Sequence, residues 1–140
     1  MMTNGLMFLS MFLIQYVFMS PIMTNSLGNI TNSLGKIYMS TIMGLFMVVA
    51  GVLTHHHFNL SQFLLYGGLL GLCIFLYKIQ FGITEKEYLK EMVEHHSMAL
   101  LTSQAILQKT DKSAVADIAQ RIIHTQEKEI KEMTELLRLE

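Results

Sequence analysis

Two adjacent histidines, a glutamine and a glutamate in the last third of the chain are side chains of types that bind metal ions. His95 and His96 lie in one apolar stretch, and Gln126 and Glu129 lie three residues apart in the next. On a helical wheel of about 100° per residue, His96, Gln126 and Glu129 fall inside the apolar stripes, with His95 on the flank. An unpartnered buried polar group costs about 1–3 kcal/mol, so these groups need one another or a metal. The sequence leaves both interpretations open.

The two polar groups are predicted to meet. Counted outward from the polar break at 109–112, they lie at matching distances, so an antiparallel hairpin would place them level with each other. The candidate metal ligands are Met92, His95, His96, Gln126, Glu129 and Met133. Imidazole with thioether favours copper, above all Cu(I), and the carboxylate also admits zinc or iron. His124 is predicted to point away, among the solvated charges.

Helical signals surround these residues. Thr84 and Glu87 have the spacing of a capping box, and the helix that follows is predicted to reach about Gln108. Asp111 is a predicted N-cap for a second helix that ends near Leu139. The pair would form an antiparallel hairpin, so residues 84–140 are predicted to be an all-α domain.

The charges divide the 140-residue chain in two. Residues 1–83 contain only Lys36 and Lys78, whereas residues 84–140 hold all 11 acidic residues. Three apolar runs, at about 6–23, 37–53 and 60–79, fit the length of a transmembrane helix. Residues 1–83 are therefore predicted to be a three-span region in the lipid bilayer. A formal net charge of −1 argues against nucleic-acid binding.

The connections between the apolar runs are polar. A seven-residue sequence occurs twice in tandem, at 24–30 and 31–37, and its Asn, Ser and Gly residues predict a loop. His55, His56 and His57 lie in a predicted tight turn and are further candidate metal ligands. Since Lys and Arg are almost absent near the spans, charge alone does not orient the chain.

The hairpin motifs resemble a known family. Met92, His95-His96 and Ala99 on one helix, followed by Gln126, Glu129-Ile130 and Met133 on the next, are similar to the family catalogued as domain of unknown function 305. A bacterial subgroup of that family also has three preceding membrane spans. Glu94 departs from the pattern, because a proline usually precedes the histidine pair.

The resemblance implies a ferritin-like helical bundle and an association with copper. It places the metal-binding motif at the six candidate ligands above and implies an extracytoplasmic hairpin. Many relatives have two hairpins and this chain has one, which is half of a four-helix bundle. We therefore expect a homodimer or a higher homo-oligomer. The expected function is a membrane protein whose hairpin binds or buffers a transition metal.

Two other functions fit the sequence. Met39, Met43 and Met47 share one helical face, and Gly67 and Gly71 form a G-x-x-x-G pattern, features that also suit a small copper transporter or channel. The third possibility is a structural membrane or virion-coat protein that assembles through its hairpin. We do not expect an enzyme, because the hairpin lacks the Glu-x-x-His motif of di-iron sites and a nucleophile motif.

Overall fold

The computed structural model describes residues 2–54 and 59–139, and every regular element within these ranges is helical. The helices are α1 (Met2–Leu13), α2 (Met19–Met23), α3 (Leu34–Thr54), α4 (Leu60–Lys78), α5 (Glu85–Leu107) and α6 (Ser113–Leu139). The predicted all-α class is therefore confirmed. The predicted histidine turn at 55–57 lies outside the described residues.

Three helical segments are long and apolar enough to cross a membrane. They are Thr3–Met23, Leu34–Thr54 and Leu60–Lys78, close to the runs predicted at 6–23, 37–53 and 60–79. The first two begin about a turn earlier than the apolar runs, because a helix continues as long as its backbone hydrogen bonds do. Their outer faces carry exposed apolar side chains such as Leu6, Phe46 and Leu64.

The first of these segments changes its helical geometry before a proline. A π-helical turn at Ile14–Phe18 joins α1 to α2, and the Met19 N–H donates to the Ile14 carbonyl, five residues back. Pro21 has no N–H to give the carbonyl of Val17, so the regular ladder cannot continue through this turn. The wider turn lies where the ladder is interrupted, as π-bulges commonly do.

One compact unit contains the residues up to Met19 together with Leu34–Ile83. Its buried core is formed by Ile42, Leu45 and Leu70, against which Phe8, Tyr66 and Ile74 pack. Gly44 on α3 allows this approach, because a Cβ atom built there would lie 2.8 Å from the Phe8 ring. In contrast, nothing within the chain lies within 4 Å of a Cβ built at Gly67 or Gly71. Among the described residues, no neighbouring segment therefore packs against the G-x-x-x-G pattern.

The second compact unit contains Ser20–Ser33 and the residues from Thr84 onward. We call residues 20–33 the strap. The hairpin of α5 and α6 forms as predicted, and Thr84 caps α5 by accepting a hydrogen bond from the Glu87 N–H at 3.3 Å. The strap packs against α5. The hairpin domain predicted at 84–140 therefore shares a compact unit with a segment far away in sequence.

The prediction that Asp111 caps α6 is wrong. The first carbonyl of the helical ladder is that of Lys112, which accepts from the Ala116 N–H at 3.0 Å, so Lys112 is the N-cap residue. The side chain that accepts in this turn belongs to Thr110, whose hydroxyl oxygen lies 3.2 Å from the Lys112 N–H. The helix begins later than the sequence suggested because the Thr110 hydroxyl already satisfies a backbone donor.

The tandem duplication folds in two ways. In the first copy, Leu27–Asn29 is a single 3₁₀ turn, and Ser26 accepts from the Gly28 N–H at 3.3 Å. In the second copy the equivalent leucine, Leu34, is the first residue of α3. The same Leu-Gly pair therefore forms a single turn in the first copy, where Asn29 and Ile30 follow. In the second copy it begins a long helix, because the apolar run of α3 follows. Local propensity is decided by what comes next.

Replacing Gly44 by alanine is expected to destabilise the first unit by about 1–3 kcal/mol, because the added methyl group would overlap the Phe8 ring. The measurement is denaturant unfolding of the full-length protein in detergent micelles. Gly68→Ala is the matched control, since its methyl group meets nothing within 4 Å. Equal stability of the two variants would contradict the packing of α1 on α3.

Candidate metal site on the helical hairpin

His96 of α5 and Glu129 of α6 meet across the hairpin. The Nε2 atom of His96 lies 3.0 Å from Oε2 of Glu129. The His96 side chain is 18% exposed and that of Glu129 42%, so water reaches the pair mainly from the glutamate side. The antiparallel register brings together two residues separated by 33 positions. The count from the break predicted that the two polar groups would be level, with His96 nearest to Gln126.

A backbone hydrogen bond fixes the His96 ring. Its Nδ1 atom lies 2.7 Å from the carbonyl oxygen of Met92, one turn earlier on α5. A carbonyl oxygen only accepts, so Nδ1 must carry the proton. In a neutral imidazole, Nε2 then presents its lone pair to Glu129, whereas in the imidazolium form both nitrogens donate. The same bond is the one that orients metal-binding histidines in proteins.

Gln126 completes a small polar group with this pair. Its Nε2 atom donates to Oε2 of Glu129 at 3.3 Å, from one turn earlier on α6. The same carboxylate oxygen thus faces both His96 and Gln126. Among the six predicted ligands, His96, Gln126 and Glu129 are the three that direct side-chain contacts bring together.

The other three predicted ligands surround this group. Met92 is half-buried and touches His96 through its carbonyl oxygen, and Met133 is half-buried one turn beyond Glu129. His95 is exposed, and its ring centroid lies 6.1 Å from that of His96 in an edge-on arrangement. His124 is exposed on α6, as predicted. The wheel thus separated the histidines of the hairpin correctly.

The ligand count of one chain is low. Within residues 2–54 and 59–139, no three His, Cys, Asp or Glu side chains gather into a group able to hold a metal ion. His96 and Glu129 supply two strong donors, with Gln126 beside them. Further ligands would have to come from Met92, Met133 or His95, or from another molecule.

A second polar cluster on α5 was not predicted. Glu94 is buried, with 7% of its surface exposed, and its carboxylate accepts hydrogen bonds from the strap. One oxygen accepts from the Ser20 hydroxyl, and the other accepts from the Thr31 N–H at 2.9 Å. The Thr31 hydroxyl donates to the Lys90 carbonyl at 2.6 Å. The residue that departs from the family motif therefore anchors the strap.

Ser97 continues this row one turn further along α5. It is fully buried, and its hydroxyl donates to Oδ1 of Asn25 at 2.6 Å. The Asn25 N–H in turn donates to the Ser97 hydroxyl oxygen at 3.1 Å. The Asn29 amide also lies within 3.4 Å of the Ser97 hydroxyl. The Asn and Thr side chains of the duplicated loop thus serve as hydrogen-bond partners for one face of α5.

The sequence carried a partial signal for this cluster. Lys90, Glu94 and Ser97 follow one another at helical spacing, about 60° wide on the wheel and outside the apolar stripe. Such a polar row usually indicates a solvent-exposed face of a helix, so the pattern alone does not predict that these residues are buried. Only the side-chain donors concentrated in the loop at 24–33 hinted at a partner, and no periodicity links a loop to a helix 60 residues away.

The comparisons with known proteins place the hairpin in a family. Residues 76–139 match the family model described as Domain of unknown function (DUF305). The chain is also 32% identical over 135 residues to "Uncharacterized protein L153" of Acanthamoeba polyphaga mimivirus, which covers 94% of this chain and 89% of that protein. No solved structure matches the chain.

Glu94→Ala is expected to lower the free energy of unfolding by about 2–4 kcal/mol, because it leaves the buried Ser20 hydroxyl and the half-buried Thr31 N–H without their carboxylate acceptor. Glu94→Gln should recover most of this loss, since its amide oxygen can accept from Thr31 while the Ser20 hydroxyl accepts from its amide nitrogen. Chemical denaturation followed by circular dichroism measures both. Glu127→Gln, on the exposed side of α6, is the control and should change stability little.

Proposed function

This chain belongs to the family described as Domain of unknown function (DUF305), and we propose that it is a membrane protein whose helical hairpin binds or buffers a transition metal. The observation that carries the proposal is the fixed His96 ring. Its Nδ1 proton is held by the Met92 carbonyl, so Nε2 is directed at the Glu129 carboxylate. A cation between Nε2 and that carboxylate would replace the proton that the pair otherwise shares.

Copper is the metal that we propose, and the thioethers are the reason. Met92 lies one turn before His96, and Met133 lies one turn after Glu129, so the sulphur ligands flank the polar group on both helices. Thioether and imidazole together favour Cu(I), whereas zinc and iron prefer sites richer in carboxylate, imidazole or thiolate. The proposed role is binding or storage, with no chemical step.

The membrane location is supported by the three apolar helices and by the number of crossings between the strap and the hairpin, which is two. Three crossings would place the end of the first span at Met23, with the rest of the strap after it, on the same side of the membrane as the hairpin, which follows the third span. The hydrogen bonds from Ser20 and Thr31 to Glu94 require the same arrangement. We propose that this side is extracytoplasmic, as the family resemblance implies.

A second copy of the chain is the proposed source of the missing ligands. Ile118, Ile122 and Leu136 are exposed on α6, and Glu129 lies in the same row on the wheel. A second hairpin packed on this row would bury its apolar side chains and bring a second His96–Glu129 pair close to the first. Two hairpins related by a twofold axis would complete a four-helix bundle.

Metal binding is expected to depend on His96 and to be independent of His124. In a titration of the full-length protein in detergent micelles with Cu(I), against a chromophoric competitor, His96→Ala should weaken binding about tenfold or more, because it removes a ligand. His124→Ala is the matched control, since His124 is exposed on the opposite side of α6.

Equal affinities of these two variants would refute the site. The preference for copper has its own control: replacing both Met92 and Met133 by leucine should weaken Cu(I) binding and spare Zn(II) binding. Met98→Leu, a half-buried methionine of α5 outside the proposed ligands, should change neither.

Association is expected to depend on the exposed row of α6. The double variant Ile118→Ser/Leu136→Ser should shift the full-length protein toward monomer in sedimentation experiments, because it removes two exposed apolar side chains from the proposed interface. Gln120→Ser, on the opposite side of α6, should leave the distribution unchanged. A monomeric wild-type protein that still binds copper would separate the two halves of the proposal.

A further inference from the structure

The α5 helix is held on two of its faces. One face carries the buried Val93 and Leu100 together with His96, which contacts Glu129 of α6. The face towards the strap presents the Lys90 carbonyl, Glu94 and Ser97. At about 100° per residue, the centres of these rows lie roughly 100° apart around the helix axis. Contacts on two faces fix the rotation of a helix about its own axis more firmly than contacts on one.

That rotation decides which histidine meets Glu129. His95 and His96 are consecutive, so their side chains leave α5 about 100° apart. In the structure His96 is 3.0 Å from the Glu129 carboxylate, whereas His95 is exposed to solvent. A turn of α5 by one residue position would bring the His95 ring to the place of the His96 ring and would carry His96 on to the place of Ser97. Both rings carry the same functional group.

The two faces do not define this rotation equally well. The face towards α6 is largely apolar, and apolar contact is non-directional. The face towards the strap is made of hydrogen bonds, which weaken steeply when the donor is misaligned. The carboxylate of Glu94 and the hydroxyl of Ser97 have strap partners at fixed positions, because the partners include the backbone N–H groups of Thr31 and Asn25.

We propose that the strap sets the rotation of α5, and that Glu94 and Ser97 are positioning residues that select His96, rather than His95, as the partner of Glu129. The geometric selection does not depend on a metal ion. Its chemical consequence, which is that His96 is the ligand and His95 is not, rests on the function proposed above.

The test measures the reactivity of each histidine in the metal-free full-length protein in detergent micelles. Diethyl pyrocarbonate modifies accessible imidazoles, and peptide mass spectrometry gives a rate for each ring. In the wild type, His95 should react faster than His96, whose side chain is 18% exposed and has a close neighbour at each ring nitrogen. The exposed His124 serves as an internal reference.

The variant that tests the strap leaves α5 unaltered. Ser20→Ala/Asn25→Ala removes the hydroxyl that donates to Glu94 and the amide oxygen that accepts from Ser97. The ratio of the His95 rate to the His96 rate is expected to fall about threefold or more, which corresponds to the lower end of coupling between neighbouring residues. The His124 rate and the helical circular dichroism signal should stay constant.

An unchanged ratio in this variant would overturn the proposal. If the double variant loses helical signal, Asn25→Ala alone decides the matter, because Asn25 is exposed and its backbone N–H remains available to Ser97. Glu94→Gln, which can keep both hydrogen bonds, should restore a ratio close to wild type where Glu94→Ala lowers it. A loss of stability without rotation would move both rates together and would also overturn it.

Failure of this proposal is distinguishable from failure of the metal site. A wild type that binds no copper but shows the expected change in the reactivity ratio would retain the role of the strap and remove the metal function. A wild type that binds copper through His96, with a ratio insensitive to the strap, would do the reverse.

Discussion

A carboxylate taken out of water must be supplied with hydrogen-bond donors, and this requirement decides what covers one face of α5. Glu94 is buried, and its two oxygens are met by the Ser20 hydroxyl and the Thr31 N–H. Without the strap these groups would all lose partners at a cost of about 1–3 kcal/mol each. The hairpin therefore folds as a unit of three segments, although the strap lies between the first two apolar helices in sequence.

The parts of the fold that periodicity governs were predictable. Helix positions follow from apolar spacing and length, and counting outward from a short turn places Met92 and His96 level with Gln126 and Glu129. The structure confirms the helices to within a few residues and brings His96, Gln126 and Glu129 together. These features depend only on local geometry and on one short connection, which a single sequence contains.

The parts that depend on distant contacts were not predictable. The two copies of Thr-Asn-Ser-Leu-Gly have the same sequence and two structures: the first closes a single 3₁₀ turn, and the second, whose Thr31 also bonds to α5, leads into α3. In the same way Ser97 resembles a solvated helix residue until its partner Asn25 is known. The Asp111 cap was wrong on a smaller scale, since the neighbouring Thr110 hydroxyl satisfies the backbone donor first. In each case a hydrogen-bond partner or a flanking segment that apolar periodicity does not reveal determined the outcome.

His96, Gln126 and Glu129 could have a structural or a metal-binding role, and the choice depends on which group neutralises the charge of the Glu129 carboxylate. Within one chain, His96 has the Met92 carbonyl on one nitrogen and Glu129 on the other, so an imidazolium would satisfy every group without a metal. That arrangement suits a carboxylate that keeps 42% of its surface in water. The imidazolium–carboxylate pair would be less favourable if the apolar row of a second hairpin covered Glu129. The free-energy cost of removing an ion pair from water exceeds its electrostatic attraction unless further ligands compensate. Association of two hairpins would thus raise the need for a cation at the point where it also doubles the number of ligands. In the proposed assembly, the exposed row containing Glu129 would therefore link the oligomeric state to metal binding.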